Sequence, residues 1–243
     1  MAEVHPHPVA IVTGAGRGIG RAIALALARE GYTLCIAART REELEETRRL
    51  SGMPIERALI ILVDFAEEES AEAVVETTLD LFGRIDVLVN NAGWAPPRTM
   101  LTKMRAIDAA RILAVNLNAP IAMARLAATS MVERGSGVII NIASSAARLR
   151  SAGEAVYAAA KAGLVAFTHA AFAELGDRGI KVSVIVPGLV DTALIPQNKR
   201  LDRELMLSPD DIADAVLSII RTPARVCPVE LVIHPQRRPE RSK

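Results

Sequence analysis

Tyr157 and Lys161 stand four residues apart in the stretch INIASSAARLRSAGEAVYAAAKAG, which runs from Ile140 to Gly163. On a helix that spacing sends both side chains from one face. A free phenol titrates near ~10, too high for easy proton exchange at neutral pH. An ammonium close by favours the phenolate and lowers that value, so the pair is expected to serve as a general acid/base. Ser144 lies thirteen residues before the tyrosine, at the carboxyl end of a strand, where ligands gather in open α/β sheets. Its hydroxyl is placed to hold a carbonyl or alcohol oxygen while Tyr157 moves the proton. Ordinary amphipathic helices show the same four-residue spacing, so the remainder of the chain must decide between the two readings.

The elements that carry these residues are a buried strand over Val138–Ala143 and a helix beginning near Glu154. Upstream, the apolar run PVAIVT ends at Thr13 and TGAGRGIG follows at once, before helical periodicity takes over from Ile19 to Arg29. Strand, glycine turn and helix form the context of a phosphate-binding loop. Small residues let backbone approach a pyrophosphate, which meets the N–H groups and dipole of the helix start. The glycines Gly14, Gly18 and Gly20 read G-x-x-x-G-x-G, with Gly16, Arg17 and Ile19 between them. This departs from G-x-G-x-x-G, which would place glycine or alanine at Ile19.

The second strand, Thr33–Ala38, selects the cofactor. A free ribose 2′-hydroxyl is usually gripped by an acid about here, yet the chain has Ala37, Ala38 and Arg39, with no acid before Glu42. Arg17 adds a second guanidinium. Two such groups suit a 2′-phosphate, so NADP(H) is expected over NAD(H). Arg41–Leu50 reads as a charged helix and Ala58–Val63 as a third strand ending in Asp64. That acid is expected to take the adenine amino group, to cap a helix over Ala66–Leu81, or both. A fourth strand then runs into Asn90, Asn91, Ala92 and Gly93.

Composition excludes several classes. With 243 residues, 51% hydrophobic and 23% charged, the chain fits one α/β domain over 1–243 with a sizeable core. A net charge of +1 and 3% aromatics give no reason to expect nucleic acid or a membrane surface as partner. No apolar run approaches the roughly 20 residues of a bilayer span, and MAEVHPHPVA lacks the marks of a signal peptide. The expectation is therefore a soluble, cytoplasmic protein. Cys35 and Cys227 make neither a metal spacing nor a disulfide framework. No metal is expected, and His5 and His7 read as a disordered end.

TGAGRGIG, NNAG, the serine thirteen before the tyrosine, YAAAK and the Pro187–Gly188 turn resemble, in order and spacing, the short-chain dehydrogenase/reductase family over roughly Val9 to Thr192. The resemblance implies a Rossmann-type, doubly wound parallel sheet of about seven strands with helices on both faces. It implies a catalytic tetrad of Asn116, Ser144, Tyr157 and Lys161. Lys161 would hold the nicotinamide ribose and lower the tyrosine pKa, and Asn116, inside a long helix from about Arg105 to Glu133, would position a water feeding the lysine. Asn90, Asn91, Gly93, Pro187, Gly188 and Thr192 carry over as cofactor-side residues. The implied activity is interconversion of a carbonyl and a secondary alcohol with NADP(H).

Other features bear on substrate and partners. Trp94 is expected to line the pocket with Met100, Leu194 and Ile195, and the 192–208 segment to form a lid. Reduction of 3-oxoacyl chains on a carrier protein is an alternative, with Arg134 and Arg178 meeting an acidic carrier. The ending CPVELVIHPQRR departs from those enzymes, which tend to close on a glycine-rich strand. A non-catalytic nucleotide-binding regulator is a rival from another class, and an epimerase or dehydratase of the extended family another. The helix AVYAAAKAGLVAFTHAAFAEL is apolar nearly all round. A single chain has nothing left to cover its outer face, so a homotetramer or homodimer is expected.

Overall fold

The computed structural model describes residues 5–149, 151–195 and 201–239. Among the described residues, seven strands, all parallel, form one sheet in the order β3-β2-β1-β4-β5-β6-β7. They are β1 Val9–Thr13, β2 Thr33–Ala38, β3 Ala58–Leu62, β4 Val87–Asn90, β5 Gly137–Ile142, β6 Ile180–Pro187 and β7 Glu230–Ile233. Their centres are continuous Val, Ile, Leu and Ala runs, because a parallel sheet is covered on both faces and has no wet side for alternation.

Helices α1 (Gly18–Arg29), α2 (Arg41–Ser51) and α7 (Pro209–Ile220) cover one face. The other face carries α3 (Ser70–Phe82), α4 (Ala106–Leu113), α5 (Ala119–Arg134) and α6 (Ala155–Leu175). Winding reverses between β1 and β4, which are neighbours although β1 also pairs with β2. The strand ends splay there into a crevice, the place where such sheets bind ligands. Ser208 caps α7 in a reciprocal capping box with Asp211, and Pro209 opens the helix, as SPDD implies.

Several expectations are corrected. Helix α3 starts at Ser70, not Ala66, because the Asp64 carboxylate accepts from the Ala66 N–H at 3.0 Å and turns the chain before the helix can begin. The long helix expected over Arg105–Glu133 is interrupted by a π-turn at Ala114–Asn118. His5 is not a loose end, since its ring rests edge-on against Phe82 with centroids 5.1 Å apart. Two helical stretches, Ala106–Arg134 and Ala155–Arg178, are long and apolar enough to cross a membrane, where the sequence reading expected none. In this fold both lie along the sheet and hold buried polar groups, Asn116 and Lys161. Cys35 is buried as expected, and burial pushes its thiol up to about 12.

The outward face of α6 carries Ala155, Ala159, Ala162, Ala166, Ala170 and Ala173, all exposed. That is one stripe at helical spacing, smooth enough for another helix to approach closely.

Candidate active site

Strand β1 delivers the glycine loop to the crevice. Gly14 and Gly18 have φ of 65° and 55°, a conformation that favours glycine. The tightest contact is at Gly20, where a Cβ would lie 2.2 Å from the Gly14 carbonyl oxygen. Asn91 buttresses the loop from the end of β4, donating its side-chain N–H to the carbonyl oxygens of Thr13 at 2.9 Å and Gly14 at 3.3 Å. The Thr13 hydroxyl in turn accepts from the Asn91 and Ala92 N–H groups, each at 2.9 Å. The loop is thereby held open at the start of α1 as a cradle that side chains would fill. The N–H groups and dipole of the α1 start suit a pyrophosphate, so the residues present fit a dinucleotide.

The cleft over this loop has a volume of about 370 Å³. Gly14, Gly16, Arg17, Gly18, Ile19 and Gly20 form its floor, with Arg39 and Asp64 at one end. Asn91, Gly93, Trp94, Ile142, Ala143, Tyr157, Lys161, Thr192 and Leu194 also line it. The expected pair thus meets the glycine loop across one cavity. Ser144 lies directly after the lining residue Ala143, near enough to Tyr157 for its hydroxyl to pull the phenol's pKa down. The Ser144 oxygen also accepts from the Ala146 N–H at 3.2 Å, which fixes its rotamer at the strand end.

The electrostatics of the pair differ from the sequence expectation. Burial pushes the Tyr157 phenol up to about 12, with the Ser144 hydrogen bond pulling down and Glu154 adding to the rise. Lys161 is absent from these causes. Its Nζ, 5.9 Å from the centre of the tyrosine ring, donates to the Ile142 carbonyl oxygen at 3.0 Å. Burial in turn pushes the ammonium down to about 8. The correction has one physical reason. Both groups are withdrawn from water, and desolvation disfavours the charge on each.

Asn116 sits in the π-turn, fully buried. Its amide donates to the carbonyl oxygens of Trp94 at 2.6 Å and Ile112 at 2.9 Å, and its oxygen accepts from the Trp94 N–H at 3.3 Å. The wider turn frees the Ile112 carbonyl for this contact, a use of π-turns frequent at functional sites. Asn116 therefore clamps the Gly93–Trp94 backbone. Asn90, expected on the cofactor side, is instead 2% exposed and turned into the core, donating to Asn141 at 2.9 Å and Pro120 at 3.1 Å.

Asp64 does not present a free carboxylate. One oxygen is held by Arg111 at 2.6 Å, and Arg39 stands 4.0 Å away. Arg111 also lies over the Trp94 ring, 5.5 Å from its centroid. Arg111 is a site residue that sequence reasoning missed, since nothing in its helix distinguishes it from a solvated arginine. Pro187 and Gly188 do not reach the lining. The Gly188 N–H is tied to Ile233 at 2.7 Å, so the turn closes the β6–β7 end of the sheet. Met100 is 57% exposed and outside the lining, as is Ile195.

Arg134, assigned to an acidic carrier, turns inward to the Ile85 carbonyl and to Ser130. Arg178 remains exposed. Of the 192–208 lid, residues 196–200 lie outside the described residues. Arg203 grips the part before them, through Asp191 at 2.7 Å, the Thr192 carbonyl at 2.9 Å and the Ile195 carbonyl at 3.2 Å.

Comparison with known proteins agrees with this geometry. The family model described as short chain dehydrogenase matches residues 8–202. An uncharacterized oxidoreductase of Staphylococcus aureus (strain USA300) is 32% identical over 227 residues, covering 93% of this chain and 96% of its own. A 3-oxoacyl-[acyl-carrier-protein] reductase of Synechocystis is 33% identical over 231 residues, covering 89% and 90%. Among solved structures, a metagenomic short-chain oxidoreductase in complex with NADP superposes with a TM-score of 0.82 at 32% identity, covering 94% of this chain and 97% of that one. An alcohol dehydrogenase from the archaeon Thermococcus sibiricus, complexed with 5-hydroxy-NADP, gives 0.84 at 29% identity, covering 97% and 100%.

Proposed function

The chain belongs to the short chain dehydrogenase family of oxidoreductases, and we propose that it interconverts a carbonyl and a secondary alcohol with NADP(H). The observation that carries this reading is the single cleft in which Tyr157 and Lys161 face the glycine cradle. When bound there, the nicotinamide supplies or accepts the hydride. The protein's share is orientation and proton transfer. Ser144 holds the substrate oxygen by a hydrogen bond that strengthens as negative charge develops. Tyr157, raised to about 12, keeps its proton at neutral pH and gives it to that oxygen during reduction. Lys161, which lines the cleft, would hold the nicotinamide ribose, and Asn116 holds the Gly93–Trp94 wall in place. Arg17 and Arg39 take the 2′-phosphate.

A fluorescence titration of the purified protein with NADPH and NADH, followed by a panel of ketones, diketones and 3-oxoacyl thioesters, tests this. NADPH should bind more tightly and turn over with at least one carbonyl. Binding without turnover on any of them would favour a regulator that kept the fold and lost the chemistry.

The Synechocystis relative favours a second reading, a 3-oxoacyl reductase. Against it, Arg134 is spent on Ile85 and Ser130 and leaves Arg178 to meet an acidic carrier. Broad small-carbonyl reduction is therefore preferred.

The assembly proposed is a homo-oligomer packed through the alanine stripe of α6. Light scattering after size exclusion should give a dimer or tetramer mass. Ala162→Glu with Ala166→Glu, two like charges on the closest-packed surface, should shift the species to monomer. A native monomer at micromolar concentration would overturn this.

A further inference from the structure

Both arginines assigned to the 2′-phosphate already face a carboxylate. Arg39 stands 4.0 Å from Asp64, which Arg111 also holds. Arg17, within the glycine loop, lies 3.5 Å from Glu43. Three guanidinium groups thus face two carboxylates at the end of the cleft where the ribose of the adenosine half belongs. Together the five groups carry a formal charge of +1, against +2 for Arg17 and Arg39 alone.

Glu43 is no passing neighbour of that loop. A Cβ on Gly16 would lie 2.9 Å from both the Cβ and the Oε2 of Glu43, so its side chain packs directly over the glycine. Its backbone is stapled to the loop as well. Arg21 donates both to the Glu43 carbonyl at 3.2 Å and to the Gly16 carbonyl. The Thr47 hydroxyl, from the next turn of α2, reaches the Ala15 carbonyl at 2.9 Å. Glu43 also lines the cleft. A carboxylate is held where the second strand offers none.

We propose that Glu43 sets the discrimination between phosphorylated and free adenosine ribose. Its carboxylate contends with a 2′-phosphate for Arg17 and repels the phosphate's own charge. Toward a free 2′-hydroxyl the same carboxylate is a hydrogen-bond acceptor. The chain therefore accepts both NADPH and NADH, with a narrower preference for NADPH than its arginines alone would produce. Because the side chain is 34% exposed, solvent and salt weaken the effect.

This rests on the nicotinamide-cofactor reading above, and the test separates the two. Dissociation constants for NADPH and NADH are measured by nicotinamide fluorescence for the native protein, Glu43→Gln and Glu43→Ala, with adenosine 2′,5′-bisphosphate as a competitor lacking the nicotinamide half. Both variants should tighten NADPH and the bisphosphate about three- to tenfold, leaving NADH unchanged or weaker. The NADPH preference should widen most at low salt. An unchanged ratio of the two constants in both variants would overturn the role of Glu43 while leaving the cofactor reading intact. Failure of the native protein to bind either nucleotide would overturn the reading and this proposal together.

Discussion

Tyr157→Phe should lower turnover in carbonyl reduction about a thousandfold, within the range a positioned proton donor contributes, and should change NADPH affinity by less than about twofold. The expectation follows from what the hydroxyl touches. Tyr157 lines the cleft beside Ser144, and its ring centroid lies 5.9 Å from the Lys161 Nζ. Phenylalanine keeps the ring and the packing and removes only the proton. Single-turnover rates with NADPH, set beside the fluorescence titration, separate the two quantities, and near-native turnover would exclude Tyr157 as the donor.

The native enzyme should show the same group in its pH dependence. Reduction needs the protonated phenol, which persists at neutral pH because burial raises its pKa to about 12. Oxidation of the alcohol needs the phenolate, so its kcat/KM should climb as pH rises through the neutral and mildly alkaline range. Lys161 contributes to stability with a definite sign. Its pKa is lowered to about 8 in the fold, against about 10.4 for a free lysine. The unfolded chain therefore binds more protons between these values. The cost of burying the ammonium is complete below about pH 8 and fades as pH rises above it.

Gly20→Ala should damage both cofactor binding and stability. The added methyl would meet the Gly14 carbonyl oxygen at 2.2 Å and the Asn91 amide at 2.5 Å. Both are fixed, the first as backbone and the second by its bond to Thr13. The loop must therefore spread. Overpacking of this kind costs about 1–3 kcal/mol, or roughly 2–12 °C in Tm for a domain of this size. NADPH affinity should fall at least about a hundredfold, since the displaced backbone is the proposed phosphate cradle. Gly52→Ala makes a useful contrast. Gly52 ends α2 with φ of 65° and nothing within 4 Å of its Cβ position. That variant should lose about 1–2 kcal/mol of stability from backbone conformation and keep its cofactor. Equal loss of NADPH binding in both would mean that the steric argument at Gly20 is wrong.

Much of the frame was legible before any coordinates. Each parallel strand is a short apolar run closed by a turn or helix signal, and each signal acts through neighbours in sequence. SPDD caps α7 because Ser208 and Asp211 are three apart and reach each other's backbone. The glycine loop is legible because a phosphate needs bare backbone, and YAAAK because one helical turn sets its spacing. Where local chemistry competed, the reading slipped: the Asp64 turn delays α3, and the π-turn at Asn116 breaks a helix whose composition is helical throughout.

By itself, then, the sequence determined the order of strands and helices, the glycine loop between β1 and α1, and the four-residue spacing of Tyr157 and Lys161 on one helix. All of these rest on contacts between residues a few positions apart. Only the tertiary structure decided what those groups face. Arg17 meets Glu43, Asp64 meets Arg111 forty-seven residues away, and Arg134 is drawn to a carbonyl of another segment. It also decided the sign of the tyrosine's shift. Charge strength depends on burial and on distant partners, and both exist only once the chain has packed.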